Sequence, residues 1–314
     1  MKKTITIFIF CIFIATPLAA YEIIYKFSGG PSGGTYQYYA SAIAKIAKKK
    51  NLRILASASG GSIENIRIVN AEISQLGMAY SGHVFQAQNG LLKNDTKKYK
   101  NVFALGYFYD APAQLVVRSD SGITSTKQLS GKRVGVGNVG SGAAVNCELF
   151  FSEIGIWDSI EKNFLGYRQA ADAFKNKELD AFWVFVGFPN SSVIEASLNN
   201  KISLINTYND AKSINMFKKY PNFSKVIIPK GTYNGVNTPT ETFQDSAIWI
   251  ASKGLHEDDA YKLLSAVYSQ EGLQYMMSVH KSAKAMSIAN GINGIVTPLH
   301  PGAERFWKEK GILR

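Results

Sequence analysis

Apolar and polar positions along this chain follow two rhythms that take turns from one end to the other. Short runs of strand length, over Glu22–Phe27, Arg53–Ser57, Ile73–Tyr80, Arg133–Gly137 and Ala181–Val186, are interrupted by glycine-, serine- and asparagine-rich turns. Between them lie stretches with helical spacing. Tyr36–Lys50 puts Tyr39, Ile43 and Ile46 on one face, and Ser62–Asn70 opens on a serine suited to cap it. Further helices are predicted over 124–129, 141–154 and 169–175. Asn101–Tyr109 and Ala113–Arg118 read as two extended segments around Asp110-Ala111-Pro112. Segments at 202–206, 210–219, 225–228 and 243–252 precede a helical tail from Glu257 onward. Strands alternating with crossover helices predict an α/β fold with mainly parallel sheets and flanking helices. Ala181–Val186 is wholly apolar and suits the middle of such a sheet, with Trp183 and Phe185 as core.

A single sheet of this many strands is unusual. The extended segments near 105–117 and 225–235 are therefore read as two chain crossings between lobes. On that reading lobe 1 takes 21–108 and 230–314, and lobe 2 is inserted at 109–229.

The first twenty residues form a separate unit. Lys2 and Lys3 precede an apolar run from Ile5 to Ala15, and Leu18-Ala19-Ala20 supplies small residues for cleavage near Ala20. This is the pattern of a secretory signal peptide, too short and wrongly flanked for a membrane span. Without Lys2 and Lys3 the formal charge falls from +12 to +10. The clusters Lys48-Lys49-Lys50 and Lys97-Lys98 close helical patterns or sit in loops, without interleaved aromatics. They read as solvated surface, so no nucleic-acid partner is expected, while the general positive field favours small anions. After cleavage Cys147 is the one thiol, which leaves no intrachain disulfide.

Chemistry concentrates in three glycine loops. "SGGPSGGTYQYY" (Ser28–Tyr39), "SASGGSIEN" (Ser57–Asn65) and "GVGNVGSGAAV" (Gly135–Val145) each follow a strand and open a helix. Such junctions expose amide N–H groups at the positive end of a helix, at the sheet edge where α/β proteins bind ligands. Thr35, Ser59, Ser62 and Ser141 are the candidate hydroxyl donors. Tyr36 and Tyr80, at a helix start and a strand end, offer phenols, and Gly187 and Phe188 leave the apolar strand toward the same edge.

Enzyme readings find less support. "GVGNVG" fits the dinucleotide fingerprint, but no acidic residue ends a strand at the expected distance, since Glu153 and Asp158 fall in or after the helix. "GPSGG" fits a nucleophile elbow around Ser32, yet it follows the first strand, and His83, His256, His280 and His300 show no carboxylate pairing. These histidines and one cysteine have no metal-ligand spacing. No enzyme activity, cofactor or metal is expected. A secreted Ser32 hydrolase and an exported ligand-binding sensor stand as alternatives.

"GGTY", "SGGSIENIRIV", "QLGMAYS", "QLVVRSDSGI", "LSGKRVGVGNVGSG", "DAFWVFVGFP", "IIPKGTYNGV" and "PLHPGAERFWKEKG" occur in that order from about residue 24 to 312. In this the chain resembles the TAXI-type solute-binding proteins of tripartite ATP-independent periplasmic (TRAP) transporters. The resemblance implies a two-lobed periplasmic binding protein of type II-like fold with a hinge. It would capture a small organic anion, a carboxylate such as a glutamate-like amino acid or a dicarboxylate, and deliver it to TRAP permease subunits. The ligand-binding set is then Gly34, Thr35, Tyr36, Ser59, Gly61, Ser62, Tyr80, Ser81, Asn138, Ser141, Gly142, Ala143, Gly187 and Phe188. Two departures stand out. Relatives tend to carry Gln-Ser-Asp where this chain has Tyr80-Ser81-Gly82, and a Thr where it has Ala143.

Overall fold

The computed structural model describes residues 23–31, 34–93 and 95–313. Calls that fall on the first twenty residues, and the Ser32 elbow, lie outside the described residues. The chain opens with β1 (Ile24–Ser28), α1 (Thr35–Lys48), β2 (Arg53–Ser57), α2 (Ser62–Asn70), β3 (Leu76–Tyr80) and α3 (Ser81–Asn89). A sixteen-residue strand, β4 (Phe103–Arg118), leads to β5 (Arg133–Gly135), α4 (Gly142–Glu153), β6 (Glu161–Asn163), α5 (Tyr167–Lys175), β7 (Ala181–Phe185) and α6 (Ser191–Asn199). Then come β8 (Ile202–Leu204), α7 (Tyr208–Ser213), α8 (Met216–Lys219), β9 (Ser224–Ile228) and the long β10 (Thr240–Ala251). The chain closes with α9 (Glu257–Val267), α10 (Gln270–Val279) and α11 (Pro301–Glu309).

Hydrogen bonding links ten strands, with the main path β2-β1-β3-β10-β4-β7-β5-β6. The order falls into two halves. In the first, β1 pairs in parallel with β2 and β3. In the second, β5 pairs in parallel with β6 and β7. Two long strands run through both. β10 lies antiparallel to β3 over Ala247–Ala251 and to β9 over Thr240–Gln244. β4 lies antiparallel to β10 up to Pro112 and to β7 from Ala113 onward. Pro112 thus sits where β4 changes neighbours, a place that needs no ladder N–H and so tolerates a residue without one. For that reason the two predicted extended segments form one strand. The chain passes back between halves within β10, and residues 225–228 pair as β9 with the second-half part of that strand.

Packing of the apolar faces follows the sequence periodicities. α1 buries Tyr39, Ala40, Ile43, Ile46 and Ala47, while Lys48, Lys49 and Lys50 stay exposed at its end. Trp249 stacks between Phe27 and Phe108, with ring centroids 6.0 and 5.7 Å away. Trp183 and Phe185 are fully buried on β7, in the core role their apolar strand implies. The indole of Trp307 on α11 donates to the carbonyl of Leu105 at 2.8 Å, which pins the last helix against β4. Among the described residues no helix is long and apolar enough to cross a membrane.

Candidate functional site

Parallel strands carry their following helices at one edge, so the N-termini of α1, α2 and α4 come together. Gly34, Thr35 and Tyr36 from the first, Gly61 and Ser62 from the second, and Asn138, Ser141, Gly142 and Ala143 from the third line one cavity of about 30 Å³. Pro31, Gly60, Tyr80, Tyr167 and Val186 complete the wall. The first two helices come from one half of the fold and the third from the other. Neither α1 nor α2 has a side-chain N-cap, so first-turn amides face the cavity region without one. Gly61 has φ 112°, a conformation open to glycine and rarely to other residues, and this brings α2 close against Ser141. Ser62 does not cap α2 as its position suggests. It is the first helical residue, and its hydroxyl accepts instead from the backbone N–H of Tyr80 at 3.0 Å.

Hydroxyls dominate the cavity. Thr35 and Tyr36, and Tyr109 beside them, are buried; among the described residues their hydroxyls make no well-formed hydrogen bond, although Thr35 and Tyr109, and Tyr36 and Tyr80, lie close enough for their hydroxyls to interact. The Tyr80 phenol crosses to the other half and donates to the carbonyl of Phe185, which also accepts from Tyr167 at 2.9 Å. The Tyr36 ring lies 5.5 Å from that of Tyr80 and 6.4 Å from that of Tyr109. Burial pushes the phenols of Tyr36, Tyr80 and Tyr109 well above their ordinary value, so at neutral pH they are donors and not phenolates. None of the described lining residues is charged. The arrangement offers amides and hydroxyls to an acceptor-rich ligand.

A neutral relay stands behind this wall. Ser62 Oγ lies 3.0 Å from His83 Nδ1, and His83 Nε2 lies 3.1 Å from Asn146 Oδ1. Burial lowers the His83 pKa to about 4. The ring is therefore uncharged, with Nε2–H donating to Asn146 and Nδ1 accepting from Ser62. His83 on α3 and Asn146 on α4 belong to different halves, so this contact joins them. A second buried junction surrounds Asp245 on β10. Its carboxylate accepts from Ser246 N–H at 2.7 Å, Asn222 Nδ2 at 3.0 Å and Gly82 N–H at 3.3 Å. A Cβ at Gly82 would lie 2.2 Å from Asn222 and 2.8 Å from Asp245, so the space of a larger residue at 82 is already filled by these two groups.

Most of the candidates chosen from sequence meet at the cavity, and four do not. Ser59 does not line the cavity and instead donates to Asn65 Oδ1 at 2.6 Å. Ser81 turns away and donates to the carbonyl of Gly294. Gly187 and Phe188 line a separate, wider cleft of about 480 Å³ that also touches Tyr109, Asp110 and Lys281. Sequence reasoning passed over Tyr109 and Tyr167. Tyr167 opens a helix after a strand, the same signal that picked out the glycine loops, but its strand β6 is three residues long and polar. Tyr109 lies inside β4 and carries no local signal.

Gly142 tests whether the halves meet here. A methyl on it would come within 2.7 Å of the Tyr80 ring and 2.8 Å of Ser62 Cβ, both from the opposite half. Gly142→Ala is expected to prop the halves apart and enlarge the radius of gyration in small-angle scattering. It should do so although alanine favours the helix by about 1 kcal/mol. An unchanged radius would place the closest approach of the halves elsewhere.

Two half-sheets joined by two long strands, with helix N-termini facing each other across a polar cavity, define the two-lobed periplasmic binding-protein fold. Similar solved structures share it. A protein of Bordetella bronchiseptica RB50 is 16% identical over 88% of this chain and 83% of its own, with a TM-score of 0.53. A structure described as a periplasmic transporter is 14% identical over 92% of each chain, with a TM-score of 0.52. A putative L-cystine ABC transporter from Listeria monocytogenes is 14% identical over 81% of this chain and 94% of its own, with a TM-score of 0.50. The chain belongs to the NMT1-like family, which it matches over residues 27–311.

Proposed function

We propose that this protein is an exported receptor that captures a small organic anion between two lobes and delivers it to a membrane permease. The observation that carries this reading is the uncharged, donor-rich cavity between the halves, with buried hydroxyls of Thr35 and Tyr36 that make no well-formed hydrogen bond among the described residues. Buried polar groups left unpaired are costly, and a bound carboxylate would supply the missing acceptors. Helix N-termini from both sides add favourable dipoles. Lobe 1 comprises β1–β3, α1–α3 and the helices after β10. Lobe 2 comprises the elements between, with the hinge in β4 and β10. The signal-like leader supports export to the periplasm. The ordered motifs that resemble TAXI proteins favour a TRAP-type permease. The Listeria neighbour is described as an ABC transporter, so a partner of that kind is the competing reading, and whether TRAP-type or ABC-type permease subunits co-purify with the protein separates the two.

A thermal-shift screen against small carboxylates tests the reading, because a ligand that binds only the folded state raises its melting temperature. Ser141 supplies a second readout. Its hydroxyl caps α4 by accepting from Ala144 N–H at 3.0 Å, and its proton takes no acceptor among the described residues. Ser141→Ala is expected to cost about 1 kcal/mol of stability through the lost cap. It should also weaken the ligand found in the screen by about tenfold, as expected for one lost hydrogen bond to a charged group. If no carboxylate shifts the melting temperature while the protein cleaves generic esters, the receptor reading fails in favour of a hydrolase.

A further inference from the structure

We infer that Tyr80 sets the size limit of the interlobe site and restricts its ligand to a monocarboxylate of one or two carbons. The inference rests on the receptor reading above and narrows it.

The cavity measures about 30 Å³. One water molecule needs roughly 10–15 Å³ of such space, so a ligand of about two to four heavy atoms fits without rearrangement. What closes off the rest is the Tyr80 side chain. It leaves the end of β3, and its ring lies where a Cβ on Gly142 would come within 2.7 Å of it. Its hydroxyl is bonded to the Phe185 carbonyl on the far side, and its ring centroid lies 5.2 Å from that of Phe185 and 5.4 Å from that of His83. A longer ligand would have to expel this ring, break the interlobe hydrogen bond and leave the Phe185 carbonyl with Tyr167 alone. A short ligand meets no such obstacle.

The charge type follows from the wall. Thr35 and Tyr36 are 1% and 5% exposed, their hydroxyls make no well-formed hydrogen bond among the described residues, and both line the cavity in the first turn of α1. These groups call for an acceptor, and two carboxylate oxygens satisfy more of them than one amide oxygen does. With no charged group among the described lining residues, the site has no partner for the ammonium of an amino acid or for a second carboxylate. A compact monoanion is the ligand class that leaves nothing buried unpaired.

Titration calorimetry with formate, acetate, lactate, succinate, glutamate and acetamide tests this on the wild type, Tyr80→Ala, Tyr80→Phe and Thr35→Val. The wild type and Tyr80→Phe, which keeps the ring, should bind formate and acetate and bind lactate, succinate and glutamate at least tenfold more weakly. Tyr80→Ala should bind the longer acids at least tenfold better than the wild type does. If Tyr80→Ala does not fold, Tyr80→Gln, which removes the ring and keeps a polar side chain, is held to the same expectation. Wild-type preference for lactate, succinate or glutamate overturns the inference, and so does an unchanged size profile in a folded variant lacking the ring. Acetamide binding as tightly as acetate overturns the assignment of charge. Loss of acetate binding in Thr35→Val, with no broadening in Tyr80→Ala, rejects the role of Tyr80 alone. Wild-type affinity in Thr35→Val rejects the site itself, and the inference with it.

Discussion

Thr35→Val is expected to weaken ligand binding ten- to a hundredfold while leaving the unliganded protein at least as stable as the wild type. The two effects have opposite signs because the Thr35 hydroxyl makes no well-formed hydrogen bond among the described residues, with only the Tyr109 hydroxyl close to it. A hydrogen bond to a charged ligand is worth roughly 1.5–3 kcal/mol, and each 1.4 kcal/mol is about tenfold in affinity. In the free protein the same hydroxyl is a buried polar group without a well-formed hydrogen bond, which costs about 1–3 kcal/mol to keep. Valine removes it with little change of shape, and Thr35 is only 1% exposed, so no solvent contact is lost. A purely structural threonine behaves differently, because affinity and stability then fall together or not at all. Calorimetric titration with the bound acid and thermal unfolding without it separate the cases. A variant that is destabilised yet binds normally would remove Thr35 from the site.

Asp245→Asn is expected to flatten a pH dependence of stability that the wild type shows between about pH 4 and 7. Burial of Asp245 raises its pKa from 3.8 to about 7 in spite of the hydrogen bonds from Ser246, Asn222 and Gly82, and nearby Asp110 raises it further. Between those values the folded protein holds a proton that the unfolded chain has released. The stability tied to that proton is full below about pH 4, falls as the pH rises through 7, and is gone above it. At 1.36 kcal/mol per unit, a shift of about three units is worth roughly 4 kcal/mol at most. Asparagine cannot ionise, so the pH dependence tied to this group should vanish, although its amide must turn an N–H toward the Ser246 donor or toward those of Asn222 and Gly82. Asp110 titrates in the same direction, because its own pKa is also raised by burial. A weaker slope should therefore remain in the variant. Urea unfolding of both proteins at pH 4.5, 6 and 8 provides the check. Parallel stability profiles would show that Asp245 is already neutral, or well solvated, in the folded state.

Junctions between elements were the parts hardest to read in the chain. α3 starts directly after β3, with Tyr80 as its N-cap residue, and its sequence SGHVFQAQN has no strong apolar stripe, so periodicity gave no helix there. Yet α3 carries His83, which links the halves, and Gly82, which bonds Asp245. α6 is hard to read for a similar reason, since its start depends on the Asn190 side chain accepting from Ser192 and Val193 N–H. The break read at Pro112 is a change of strand partners, visible only once β10 and β7 are both in place.

What the amino-acid sequence determined by itself is local: the alternation of strands and helices, the buried face of α1, the apolar β7 and the three glycine loops that open α1, α2 and α4. These follow from side-chain periodicity and from backbone freedom, which act over a few residues. The tertiary structure decided which loops share a cavity and which side chains fill it. Ser59 and Ser81 have the right chemistry at promising positions, but their hydroxyls are taken by Asn65 and Gly294. Tyr109 has no local signal and Tyr167 only a faint one after a short polar strand, yet both stand at or beside the cavity, because β4 crosses between the halves and α5 starts at the same edge as α4. The pKa of Asp245 likewise depends on burial and neighbours drawn from α3, β4 and the segment before β9. The physical reason is common to all of these. Desolvation and hydrogen-bond satisfaction are set by groups far apart in the chain that meet only in the folded protein.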